Sequence, residues 1–206
     1  MKNFTKEYYK INKLEEKYTN FLWELINSED YLFKLSTLEK SLKNDYKYIK
    51  KHYDDKNIVK VAIERLIRFF IYKNKKCIDL YPSPLSSDLA VEFDDIILNI
   101  DAKTISMTNN KGDDNSIHFG QNQITFVNQG YGKIKNSDTY VSYNPHLPGY
   151  FNKKPVLTFF ITVNYEDNHK DIFKIIHQSL TCVPHKVIAK EKYNNNLISN
   201  FKTYKY

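Results

Sequence analysis

The sequence predicts an α/β domain in which a helical N-terminal region packs on a β-sheet built from the rest of the chain. Three observations carry that expectation. Residues 1–76 contain neither Gly nor Pro, and their apolar positions recur at spacings of three and four, the period of an amphipathic helix. "LAVEF" and "IILNI" are alternating, β-rich runs joined at Asp94-Asp95. "PVLTFFITVNY" (155–165) is a continuous apolar run of the kind a buried strand requires.

Taken in order, the N-terminal spacing runs through Leu14, Tyr18, Phe21, Leu22 and Leu25, then Leu32, Leu35, Leu38 and Leu42. "NIVKVAIERLIRFFIYKNKK" is the most apolar helix, expected to start after Asn57 and to carry Lys60, Glu64 and Arg68 on one polar stripe. "YPSPLSS" ends the helical pattern, because Pro82 and Pro84 lack a backbone donor and push their predecessors into extended geometry. The β-hairpin follows. All five glycines fall between 112 and 149, so this stretch is expected to be loops and short strands. After the 155–165 strand, residues 171–180 read as a helix. No repeat or low-complexity linker divides the chain, so one domain over 1–206 is expected, with a helical part (1–76) and a sheet-containing part (77–206).

Composition sets the class. The 31 aromatics (17 Tyr, 13 Phe, one Trp) argue for a packed core and against disorder. A net charge of +7 suits an anionic partner. The excess lies on the flanks, whereas residues 61–103 carry six Lys/Arg against seven acids. Two cysteines are too few for a disulfide framework and form no CxxC pair, which fits a reducing compartment. The start "MKNFTKEYYK" lacks the apolar core of a signal peptide, and no run reaches membrane-spanning length. A soluble, cytoplasmic protein with no membrane partner is the expectation.

The hairpin poses the chemical question. With Asp94-Asp95 as the turn, Phe93 faces Ile96, Val91 faces Leu98, Leu89 faces Ile100, and Asp88 faces Asp101. Alternation then puts Leu89, Val91, Phe93, Ile96, Leu98, Ile100 and Ala102 on one apolar face, and Asp88, Glu92, Asn99, Asp101 and Lys103 on the other. Two acids directly opposite each other repel. A hard divalent cation such as Mg²⁺ offsets that repulsion, and Lys103 on the same face can stabilise charge developing on a phosphate. Spacing alone leaves equally open a solvated polar face with ordinary surface charges.

An acid (Asp88), twelve residues, and then "DAK" (Asp101-Ala102-Lys103) on a strand pair after an apolar helix resembles the PD-(D/E)xK nucleases, especially the small type II restriction endonucleases. The resemblance covers about residues 60–125, and Ser87 stands where the family has Pro before the first acid. It implies a central mixed β-sheet of restriction-endonuclease-like type, with Asp88 and Asp101 as metal ligands and Lys103 as the catalytic lysine. It also implies Mg²⁺-dependent, sequence-specific hydrolysis of phosphodiester bonds in double-stranded DNA. A homodimer would match the symmetry of a palindromic site.

Other residues are weighed beside these. Some members of the family add a Glu from the preceding helix to the metal site, and Glu64 is placed for it; its simpler reading is an exposed pair with Arg68. Glu92 reads as solvated. Gln121, Asn122 and Gln123 in "HFGQNQITF" can read adenine or contact the DNA backbone. His177, Cys182 and His185 are irregularly spaced for zinc and read as packed or surface residues. No Walker-type loop or GxSxG elbow occurs. The alternatives are a structure-selective or repair nuclease with the same site, and a basic DNA-binding protein without catalysis.

Overall fold

The computed structural model describes residues 2–52, 55–74, 79–81, 88–107, 130–133, 140–143, 149–167, 173–183 and 185. Three helices come first: α1 (Lys2–Ile26), α2 (Glu29–His52) and α3 (Asp55–Lys73), the last beginning two residues before Asn57. The break between α1 and α2 is local chemistry. Ser28 caps α2 by accepting the Tyr31 N–H at 3.3 Å, and Glu29 and Asp30 place negative charge on the helix's positive end. Within α2 the buried phase is Tyr31, Leu35 and Leu42; Leu32, expected inside, is exposed.

Eight strands follow: β1 (Asp79–Tyr81), β2 (Leu89–Glu92), β3 (Ile97–Ser106), β4 (Gly130–Lys133), β5 (Tyr140–Tyr143), β6 (Tyr150–Phe151), β7 (Lys154–Asp167) and β8 (Phe173–Val183). The main sheet runs β1-β2-β3-β7, with β6 and β8 both pairing β7, while β4 and β5 form a separate ribbon. It is mixed, as expected: β1-β2-β3 and β7-β8 are antiparallel, and the central β3-β7 pair is parallel. Leu98 lies beside Leu157, Ile100 beside Phe159 and Ala102 beside Ile161. Together with Leu89, Val91, Phe93 and Ile96, these residues make one apolar sheet face, the face the alternation predicted. It packs on Ile11, Leu14, Tyr18, Leu22 and Ile26 of α1, Tyr31, Leu35 and Leu42 of α2, and Ile63, Ile67 and Ile71 of α3. All three helices therefore cover the same side.

The helix expected over 171–180 is instead strand β8. The reason is a bulge: His177 pairs with Asn164 and Ile175 with Tyr165, leaving Ile176 as the extra, exposed residue. Ile175, Leu180 and Cys182 pack on the core, and Gln178 donates to the Ile26 carbonyl of α1 at 3.1 Å. The inward positions 175, 178, 180 and 182 therefore contain one spacing of three, which breaks the strict alternation by which a strand is read. Among the described residues no helix is long and apolar enough to cross a membrane.

Candidate active site

The hairpin closes with the register predicted: Leu89 pairs with Ile100 and Val91 with Leu98, and the Phe93 N–H donates to the Ile96 carbonyl at 2.9 Å across Asp94-Asp95. Asp-Asp is an unfavourable two-residue turn. Helix α1 fixes it from outside. The Asp95 carboxylate accepts hydrogen bonds from Lys17 Nζ at 2.6 Å and from the Tyr18 hydroxyl, while Phe93 packs edge-on against Tyr18 and Phe21 with ring centroids 5.3 and 5.6 Å apart. Burial acts to raise the Asp95 carboxyl, but these two donors outweigh it and hold the group below its ordinary range.

At the opposite end of the hairpin the two predicted acids meet. Asp88, just before β2, accepts the Ala102 N–H at 2.7 Å and lies within hydrogen-bonding reach of the Asp101 carboxyl. Asp101 is 1% exposed and 2.7 Å from Lys103 Nζ. Burial pushes its carboxyl up to about 6; Lys103 opposes the rise and Asp88 adds to it. The Lys103 ammonium also stands 5.7 Å from the centre of the buried Phe160 ring, a cation–π distance.

Helix α3 contributes to the same cluster. Its Ile63, Ile67 and Ile71 face the core, which turns Lys60 and Glu64 toward the hairpin. Lys60 Nζ is 3.3 Å from Glu64 and 3.6 Å from Asp88, and Glu64 lies within hydrogen-bonding reach of Asp88. Burial and Asp88 raise the Glu64 carboxyl against the opposing effect of Lys60. Burial works to lower the Lys60 ammonium, but Asp88, Glu64 and Asp101 together hold it above its ordinary range. Glu64 thus pairs with Lys60, and its expected partner Arg68 makes no ion pair among the described residues. The i,i+4 neighbour on the N-terminal side won because it alone also reaches Asp88. Lys60 itself was legible only as part of a polar stripe.

Three carboxyl groups and two ammonium groups leave the cluster one negative charge in excess when all are ionised. That donor set suits a hard cation. Among the described residues no group of three or more His, Cys, Asp or Glu side chains is disposed to hold a metal ion, so the fit rests on the Asp88–Asp101 pair. A pair suffices for Mg²⁺, which keeps waters and substrate oxygens in its remaining positions.

The other candidates fall elsewhere. Gln121, Asn122 and Gln123 lie outside the described residues. Glu92, expected in solvent, is half-buried and 2.6 Å from Lys154 Nζ, because the β6-β7 turn through Asn152 and Lys153, both at positive φ, swings that lysine over the end of β2. Cys182 packs on the core, and burial pushes its thiol up to about 12; with His177 exposed, no zinc site forms among the described residues.

The class that this fold and cluster define is that of α/β proteins carrying an acid pair and a lysine on a hairpin beside a parallel strand. Residues 7–170 match the family described as type II restriction enzyme MwoI, N-terminal domain, and the chain belongs to that family. Among solved structures it is similar to the restriction endonuclease BglI bound to its DNA recognition sequence, at 12% identity and a TM-score of 0.49, covering 92% of this chain and 82% of that one. No curated protein matches it.

Proposed function

We propose that this protein is a type II restriction endonuclease whose Asp88–Asp101–Lys103 cluster hydrolyses phosphodiester bonds in double-stranded DNA with Mg²⁺. The observation that carries the reading is the buried acid pair with its excess negative charge, set against Lys103 in a chain of a type II restriction enzyme family. Asp88 and Asp101 would hold the ion, with Glu64 behind Asp88 as a third carboxylate. When bound, Mg²⁺ supplies Lewis-acid polarisation of the scissile phosphate. Asp88 is fixed for this role by the Ala102 N–H, which orients one carboxylate oxygen and leaves the other toward Lys60 and Glu64. Lys103 holds a proton on Nζ beside the phosphate, where it can orient the attacking water and balance charge in the transition state. Base reading is assigned to Gln121, Asn122 and Gln123. Cutting both strands of a palindrome calls for a homodimer.

The test is digestion of unmethylated phage DNA with Mg²⁺, beside EDTA, Asp101→Ala and Lys103→Ala controls, with sedimentation to give the oligomeric state. Discrete fragments lost in all three controls are the expected result. Intact DNA across a range of salts and divalent metals would leave a binding protein, and fragments that depend on DNA structure rather than sequence would indicate a repair-type nuclease.

A further inference from the structure

We propose that Thr162 is a positioning residue for Lys103, its hydroxyl being the second seat of the lysine ammonium once Asp101 holds a metal ion. The proposal rests on the nuclease reading above. Lys103 Nζ sits 2.7 Å from Asp101 Oδ2, the carboxylate that the reading gives to Mg²⁺. A cation held on that carboxylate would repel the ammonium and weaken its hold on Oδ2, which would favour a second seat for Nζ. Its side chain is 23% exposed, and the Phe160 ring closes one side.

Thr162 stands next to it. In the parallel β3-β7 register Thr162 is the partner of Lys103, as Phe160 is of Asp101, so the two side chains share a sheet face with strands about 4.8 Å apart. Thr162 is 3% exposed, and its Oγ1 has no hydrogen-bond partner among the described residues. Ser179, its neighbour in β8, does not bond to it. A buried hydroxyl without a partner is destabilising relative to an isosteric methyl, so its presence calls for an explanation. A hydroxyl oxygen carries two acceptor lone pairs and an ammonium three donors, so the pair is chemically complementary. The contrast along the same strand pair is direct: Thr158 accepts from Asn99 at 3.2 Å and is structural.

The experiment compares Thr162→Val, Thr162→Ser and Thr158→Val in the full chain by three readouts: single-turnover cleavage with Mg²⁺, DNA affinity with Ca²⁺, and Tm in EDTA. Thr162→Val is expected to slow cleavage about 10- to 100-fold, in the range typical of groups that orient a metal site's first-contact residues. DNA affinity should stay unchanged and Tm equal or exceed that of the native chain. Thr162→Ser should recover most of the rate, and Thr158→Val should lower Tm. Cleavage by Thr162→Val at the native rate, a fall in its Tm like that of Thr158→Val, or failure of serine to rescue would each overturn the proposal. A native chain that cuts nothing overturns the nuclease reading and this seat with it, whereas native cleavage matched by Thr162→Val overturns the seat alone.

Discussion

Replacing Asp101 by Asn should make the metal-free protein more stable while abolishing cleavage. The Asp101 carboxyl is buried and raised from 3.8 to about 6, so the folded protein favours its protonated form. A difference of about two in pKa corresponds to roughly 3 kcal/mol between protonation states. The attraction of Lys103 is already contained in that balance, since it opposes the rise. A carboxyl raised on folding leaves stability intact below its unfolded value, near 4, and withdraws it as pH rises through the folded one. Near pH 4 the native chain and Asp101→Asn should therefore differ by only about 0.5 kcal/mol, at pH 5 about half of the full gap should already be open, and by pH 8 the variant should be ahead by up to about 3 kcal/mol. For a chain of this length that corresponds to roughly 6–12 °C in Tm. The assay is thermal unfolding in EDTA between pH 4 and 8, repeated with Mg²⁺, which should raise Tm of the native chain and not of the variant. A Tm difference that is independent of pH, or a variant less stable at pH 8, would refute the argument that burial of this carboxylate is unfavourable.

Three further outcomes are expected. Glu64→Gln should lower cleavage most at limiting Mg²⁺ and recover as the metal is raised; an unchanged Mg²⁺ dependence would leave Glu64 a structural partner of Lys60. Tyr18→Phe should destabilise the fold by about 1 kcal/mol by removing a donor to Asp95. Because that carboxyl is held low in the folded state, its contribution is present above its unfolded pKa and lost as pH falls through the folded one, so the variant's deficit in denaturant titrations should shrink toward pH 2. Deleting Ile176 should change Tm by only a few degrees, because it removes the bulge and leaves Ile175, Gln178, Leu180 and Cys182 in one regular alternation; deleting Thr181 should unfold the protein's edge, because it turns Cys182 to the wrong face.

The hairpin and its register were legible because one face is uniformly apolar from Leu89 to Ala102, and a slip of one residue would have exposed all of it. That register alone places Asp88 against Asp101. What alternation could not reveal is the third dimension. The approach of Glu64 and Lys60 depends on the roll of α3 over the sheet, which is set by Ile63, Ile67 and Ile71 packing together with residues far along the chain. Strand β8 was hidden for a different reason: a single bulged residue put a spacing of three into a period of two at its start. The exposed Leu32 shows the same limit in α2, where Tyr31, usually discounted for its hydroxyl, took the buried phase.

The buried polar and charged residues of the described chain, Asn99, Asp101, Thr158 and Thr162, all lie on one face of one strand pair, β3 and β7. Their pairing changes along its length. Near the start of β3 Asn99 donates to Thr158, neutral donor to neutral acceptor, and no charged group takes part in that bond. Two residues on, Asp101 is buried with Lys103 as its counter-ion and Asp88 as a repelling neighbour, and beyond it the Thr162 hydroxyl is left without a bond. Hydrophobic packing on the opposite face holds this gradient in place, because Ile100, Ala102, Phe159 and Ile161 cannot shift without exposing the core. The strand pair thus carries a neutral, hydrogen-bonded end and an electrostatically strained end that a cation would relieve. Stability gained by Asp101→Asn and stability lost by Thr158→Val are opposite consequences of that single arrangement.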